Sequence, residues 1–155
     1  MLDALMAFGA KVEASTDSVC VSPAPLHGCI IDVGETPDLL PVLAVLGACA
    51  GGETRLVNAA RLRLKESDRL ASVSSMLRAL GATVEEQPDA LVISGGHLTG
   101  GDVHSCRDHR IVMAAAVAAI RCEGNVRILG TEAVNKSYPA FFQDYNRLGG
   151  QANVV

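Results

Sequence analysis

Apolar and polar positions along this chain change period several times, and each change marks an element. "GCIIDV" is a short apolar run that predicts a strand, and "PDLLPVLAVLGACA" predicts a helix with Thr36 as N-cap and Pro37 at its first position. "ETRLVNA", after the Gly51-Gly52 stop, predicts a second strand. In "KESDRLASVSSMLRAL" the apolar residues Leu70, Val73, Met76, Leu77 and Leu80 fall on one helical face, and Gly81 stands where a terminating glycine belongs. "ATVEEQ" and "ALVIS" then predict a hairpin around Pro88-Asp89. The unit reads β-α-β-α-β-β and fills residues 26–95.

Parts of this unit recur. "FGAKVEASTDSVCVS" (Phe8 to Ser22) aligns without a gap to "LGATVEEQPDALVIS" (Leu80 to Ser94) at an offset of 72, and "DVGETPD" lies over "DVHSCRD" at an offset of 70. Residues 1–25 read as the end of one copy. Residues 96–155 read as another, through "GDVHSC", "HRIVMAAAVAAIRC", "NVRIL", "SYPAFFQDYNRL" and a last strand "QANVV". The helix rich in Ala, Val, Ile and Met is apolar nearly all round and is expected to be buried on all sides. Tyr138, Phe141, Phe142, Tyr145 and Leu148 mark one face of the following helix. The expectation is an α/β chain holding one full copy and two partial ones, as a piece of a larger protein would.

Composition narrows the class. Half of the 155 residues are apolar, only 3% are aromatic and Trp is absent, so the core must be aliphatic. Thirteen Lys plus Arg against 17 Asp plus Glu give a formal net charge of −4, which argues against nucleic acid. No apolar run reaches the roughly 18 residues of a membrane span, and "MLDALMAFGA" lacks the basic start of a signal peptide. The five cysteines are scattered without a CxxC pair, so neither a metal site nor a disulfide framework is expected, and the cytoplasm fits.

Against that acidic background, "RLRLKESDRL" concentrates four cations and two acids within Arg61 to Arg69. Three polar clusters fall at predicted helix starts: Asp38; Lys65 with Glu66 and Arg69; and Asp108 with His109 and Arg110. Lys136 stands just before the fourth helix. A helix start presents free N–H groups and partial positive charge, and added Arg or Lys suits it to carboxylate or phosphate. Taken singly, each has a plainer reading. Asp38 or Glu66 could complement a macrodipole, Lys65 to Arg69 could be a solvated charge run, Arg110 could pair with Asp108, and His109 could be structural. No Walker loop, GxGxxG, HExxH or GxSxG occurs.

In combination, "LRLKESDRL", "DHRIVMAAA" and "NKSYPAFF", in that order and with "TPDLLPVLAVL" before them, resemble the C-terminal part of the 5-enolpyruvylshikimate-3-phosphate synthase family. The resemblance covers essentially the whole chain. It implies the enolpyruvyl transferase fold, an inside-out α/β barrel of such repeats in two domains with the site between them. It implies transfer of the enolpyruvyl group of phosphoenolpyruvate to the 5-hydroxyl of shikimate 3-phosphate, in aromatic amino acid biosynthesis, without metal or organic cofactor. Carried over by motif, Arg69, Arg110 and Lys136 hold phosphoenolpyruvate and Lys65 touches shikimate 3-phosphate. Asp38 is the candidate base, Glu66 the candidate proton donor, and Asp68, Asp108 and His109 support them. Arg61 stands where some members carry Asn. The missing N-terminal domain is then the expected partner, with self-association through Gln151 to Val155 or the Met1 helix. The alternative is a catalytically inert anion-binding or structural fragment of such an enzyme, or of the related UDP-N-acetylglucosamine enolpyruvyl transferase.

Overall fold

A computed structural model describes residues 1–153. The short helix α1 (Leu2–Ala7) leads into the hairpin β1 (Lys11–Ala14) and β2 (Val19–Ser22). The central unit follows as β3 (Ile30–Asp32), α2 (Leu40–Cys49), β4 (Glu53–Val57), α3 (Arg69–Ala79), β5 (Thr83–Gln87) and β6 (Ala90–Ser94). The last unit holds β7 (Gly101–His104), α4 (His109–Ala119), β8 (Val126–Leu129) and α5 (Phe141–Arg147). No helix is long and apolar enough to cross a membrane among the described residues.

The central sheet has the strand order β3-β4-β6-β5. β3 and β4 run parallel because α2 connects them, whereas β6 pairs antiparallel with β4 and with β5, the two-residue Pro88-Asp89 turn closing that hairpin. Alternation in β4 points Thr54 and Leu56 into the core and leaves Glu53 and Arg55 exposed. β6 is a continuous apolar run, and Ala90 to Ile93 are all buried. The predicted face of α3 is also buried, from Leu70 through Leu80. α2 packs Leu40, Leu43 and Ala44 into the same core, beside Ile111, Ala114 and Ala115 of α4. Gly95 is required there, since a β-carbon would collide with the Ala50 carbonyl.

Backbone hydrogen bonds set the repeat at a constant offset of 72. His27 N–H donates to Phe8 C=O as Thr99 N–H does to Leu80 C=O, and Val33 N–H donates to Val57 C=O as Ser105 N–H does to Leu129 C=O. Gly9 and Gly81 share the left-handed backbone at φ +87° and +90°, as do Asn58 and Gly130 at +59° and +76°. The sequence match of Asp32 to Asp102 therefore slips by two: Asp32 corresponds in space to His104. Side-chain identity misled the alignment where ladder geometry decides it.

Several boundaries differ from the hydrophobic pattern. Pro37–Leu39 forms a 3-10 turn before α2, and Thr36 makes no side-chain capping bond. α3 begins at Arg69 rather than Lys65, because Asp68 accepts the Ala71 N–H at 3.1 Å and fixes the start. "ARLRL" and "TEAVNK" each form a 3-10 helix, so Lys136 closes Thr131–Lys136 rather than opening α5. α4 is not covered all round: Ile120 at its end is exposed. The face from Tyr138 to Leu148 is only half-buried at best, with Leu148 exposed. Gln151 to Asn153 form no strand; Ala152 instead exchanges two hydrogen bonds with the Asn146 side chain. Val154 and Val155, the rest of that expected strand, lie outside the described residues.

Leu56 sits at the centre of this packing with no exposed surface. Leu56→Ala is expected to destabilise the chain by about 3 kcal/mol, read as a lower midpoint in urea unfolding. A change within experimental scatter would place the core elsewhere.

Candidate functional site

The polar cluster is assembled from loops and helix starts in the last two units. The loop before α4 turns sharply, with Cys106 and Arg107 left-handed at φ +52° and +59°. That turn delivers Asp108 as the N-cap of α4, where one carboxylate oxygen accepts the Arg110 N–H at 2.9 Å. Asp108 has no exposed surface, and its other oxygen accepts from Arg69 Nε at 2.8 Å and from Ser67 Oγ at 3.2 Å.

Arg69 is the hub. Its side chain is 1% exposed, and its three nitrogens reach three carboxylates: Nε to Asp108, Nη1 to Asp38 Oδ1 at 2.6 Å, and Nη2 to Glu66 Oε2 at 2.7 Å. The network continues outward on both sides. Arg110 Nη2 donates to Asp38 Oδ2 at 2.8 Å, and its Nη1 to the Asp38 carbonyl at 3.2 Å. Lys136 Nζ donates to Glu66 Oε1 at 3.1 Å. Positive and negative groups thus alternate from Arg110 through Asp38, Arg69 and Glu66 to Lys136.

Of the residues expected to share the site, Asp38, Glu66, Arg69, Arg110 and Lys136 form this row, with Asp108 beneath it. Asp68 stays apart from the row: it caps α3 and binds Arg63 Nη1 at 2.9 Å. Lys65 and Arg61 line an open cleft of about 420 Å3 with Gly34, Glu35, Pro37 and Leu64. His109 is buried, its Nδ1 lacking a hydrogen-bond partner at 3.9 Å from Asp108 Oδ1. The sequence reading passed over Ser67 and Arg63. Arg63 ties the basic segment to the hairpin, donating to Glu86 at 2.8 Å and to the Gln87 and Pro88 carbonyls at 2.9 and 3.2 Å. Charge density in "RLRLKESDRL" pointed at all four cations alike, and only the fold separates the strut from the rest.

The two acids are strongly ionised. Glu66 is held at about 2 by a hydrogen bond from its own backbone amide and one from Lys136, with the Arg69 and Lys136 charges adding to them against a smaller burial penalty. At Asp38 burial is the largest single influence and acts upward, but the Arg69 hydrogen bond and the charges of Arg110, Arg69 and Lys65 together bring its pKa below the usual value. Neither carboxylate carries a proton at neutral pH in this arrangement. Arg110 and Lys136 are 31% and 60% exposed and open to an arriving anion, whereas Arg69 offers only the N–H groups its carboxylates leave unused.

Comparison with known proteins gives one consistent family. The family model described as EPSP synthase (3-phosphoshikimate 1-carboxyvinyltransferase) matches residues 1–145. The curated 3-phosphoshikimate 1-carboxyvinyltransferase of Methanocella arvoryzae is 47% identical over 99% of this chain, which covers 37% of that protein. That of Clostridium acetobutylicum is also 47% identical, over 99% of this chain and 36% of its own length. An EPSP synthase structure from Acinetobacter baumannii superposes with a TM-score of 0.89 at 31% identity, over 97% of this chain and 38% of that one. The enolpyruvyl transferase NikO from Streptomyces tendae superposes at 0.79 with 25% identity, over 97% of this chain and 35% of that one. This chain therefore spans little more than a third of the curated relatives it matches.

Removing Asp108 leaves a buried guanidinium one carboxylate short and α4 uncapped. Asp108→Ala is expected to cost about 3–5 kcal/mol in chemical denaturation, against about 1 kcal/mol for the cap lost in Asp68→Ala. Equal losses would contradict the hub. A pH series tests the acids. Glu66 titrates near 2 in the fold against 4.5 for the free side chain, so its contribution is complete above about pH 4.5 and is lost as pH falls toward 2. Glu66→Gln should flatten that part of the stability profile, measured by thermal melting across the range.

Proposed function

Since this chain belongs to the EPSP synthase family, we propose that it forms one wall of a site that transfers the enolpyruvyl group of phosphoenolpyruvate to the 5-hydroxyl of shikimate 3-phosphate. The observation that carries the proposal is the alternating row from Arg110 to Lys136, braced from beneath by Asp108. Such a row can trade internal partners for an external anion without reorganising its backbone.

Arg110 and Lys136 take the phosphate and carboxylate of phosphoenolpyruvate, with the spare N–H groups of Arg69 behind them. Lys65, and Arg61 beside it in the cleft, face the second anionic substrate. In the addition step Asp38 accepts the 5-hydroxyl proton as that oxygen bonds to the central carbon of phosphoenolpyruvate, while the methylene carbon takes a proton and becomes a methyl group. In the elimination step the methyl carbon returns a proton, the double bond reforms and phosphate leaves. Glu66 is placed to serve the methylene carbon. Its low pKa is no obstacle, because an anion that engages Lys136 and Arg69 weakens two of the influences holding it down. The fixed cations stabilise the negative charges of the tetrahedral intermediate.

Residues 1–25, 26–95 and 96–155 are then three units of one domain. A facing domain, for which relatives nearly three times as long leave room, supplies the other contacts. Phosphorylated intermediates do not cross membranes unaided, which supports the cytoplasm as the compartment of the reaction. One wall binds but does not position two substrates against each other, and positioning carries a large part of catalysis.

Two measurements test this. Calorimetric titration of the 155-residue chain with phosphoenolpyruvate at low salt should show saturable binding, weakened about tenfold by Arg110→Ala or Lys136→Met, the loss of roughly one charge-assisted hydrogen bond. Phosphate release from the two substrates should be undetectable with the chain alone. Turnover at a full enzyme's rate would overturn the half-site reading, and absence of binding would overturn the anion site.

A further inference from the structure

The segment from Ala60 to Asp68 carries Arg61, Lys65 and Glu66, yet little of its own packing holds it. After the 3-10 turn Ala60–Leu64, residues 65–67 form only a bend, and Leu62 is the one buried residue from 61 to 68. Leu64 is 88% exposed. Glu66 has Arg69 and Lys136 to fix it. Arg61 and Lys65 reach the cleft of about 420 Å3 from exposed positions, so their aim depends on how the backbone beneath them is held.

Polar contacts from Arg63 take the place of packing. Its Nε and Nη2 donate to the Pro88 and Gln87 carbonyls at 3.2 and 2.9 Å, and its Nη1 donates to Glu86 at 2.8 Å and to Asp68 at 2.9 Å. Three of these acceptors lie on β5 or in the turn after it. The fourth is the N-cap of α3, whose other carboxylate oxygen accepts the Ala71 N–H. Asp89, in the same turn, pins the upstream end of the segment: its carbonyl accepts the Ala59 N–H at 3.0 Å and its carboxylate the Ala60 N–H. The Arg63–Asp68 pair thus closes residues 64–67 into a loop, and the β5–β6 turn holds both that loop's base and the 3-10 turn before it. A guanidinium suits the place, because its rigid fork serves all four acceptors at once.

We propose that Arg63 is a positioning residue: clamped between the β5–β6 turn and Asp68, it sets the direction and reach of Lys65 and Arg61 into the cleft without itself touching a ligand. The inference rests on the site proposed above and gives one half of that site its own support. The row from Arg110 to Lys136 is braced by Arg69 and Asp108 instead. Loosening Arg63 therefore separates the two anionic substrates. Shikimate 3-phosphate, received in the cleft, loses affinity, while phosphoenolpyruvate, received on the row, keeps it. A general loss of folding would weaken both. Glu86 sharpens the distinction, since it lies outside the residues that line the cleft. Glu86→Ala removes a negative charge from the neighbourhood of an anion site, so charge alone favours tighter binding, whereas a lost clamp gives weaker binding.

Relaxation of 15N in the 155-residue chain reads the clamp with no ligand present. The Leu64, Lys65 and Ser67 amides should have order parameters of about 0.85, falling toward about 0.6 in Arg63→Gln and in Glu86→Ala, while those of Val134 and Lys136 stay unchanged. Calorimetry at low salt should then show shikimate 3-phosphate binding weakened about fivefold by either variant, the scale of one lost hydrogen bond. Phosphoenolpyruvate affinity should match that of the unmodified chain. Order parameters that do not fall would overturn the positioning role, whatever the chain binds. Equal losses for both substrates, or tighter binding of shikimate 3-phosphate by Glu86→Ala, would overturn it as well. An unmodified chain that binds neither substrate would instead remove the proposed site, and the relaxation data would still decide the clamp.

Discussion

A single buried guanidinium organises the site. Arg69 begins α3, and its nitrogens draw in carboxylates from the turn before α2, the segment before α3 and the cap of α4. A charge with 1% of its surface exposed is costly unless it is paired and hydrogen-bonded, so the three acids and the arginine constrain one another. The outer cations then have fixed partners to lean on. Arg110 is aimed by Asp38, and Lys136 by Glu66. The array is stiff because its centre is dry and reachable because its ends are wet.

The repeat explains how distant residues meet. Each β-α-β passage brings the chain back in the same direction, so α2, α3 and α4 begin near one end of the domain. The aliphatic core permits this closeness: α2 and α4 present Ala44, Ala114 and Ala115 toward the shared interior, where bulkier residues would hold the helices apart. Local capping does the rest. Asp68 and Asp108 each start a helix, but only Asp108 also faces Arg69, and that difference separates a helix cap from a brace for the site.

Much of this was legible in the residues. The β-α-β-α-β-β order of the central unit, the α3 face from Leu70 to Leu80 and the convergence of Asp38, Glu66, Arg69, Arg110 and Lys136 all follow from periodicity, caps and motif order. Other features were not. The 3-10 segments around Arg61 and Lys136 leave no hydrophobic period to detect. The slip between Asp32 and Asp102 arose because a short motif can match by side chain while the ladder pairs another residue. Arg69 was expected to hold an anion. Its burial, which a sequence does not state, also makes it the centre that fixes Asp38, Glu66 and Asp108, and through the first two Arg110 and Lys136. The separation of Arg63 from the other cations depends on the β5–β6 hairpin lying beside it, a tertiary relation with no local signal.

Under the proposed function, Glu66 and its cations respond to the ligand rather than forming a static salt-bridge cluster. Carboxyl 13C NMR of Glu66 during acid titration, with and without saturating phosphoenolpyruvate, tests it most directly. The expected result is a pKa of about 2 in the free chain, rising on binding as the ligand's charge arrives and Lys136 turns toward it. A Glu66 titration unmoved by the ligand, or shifted further down, would contradict it.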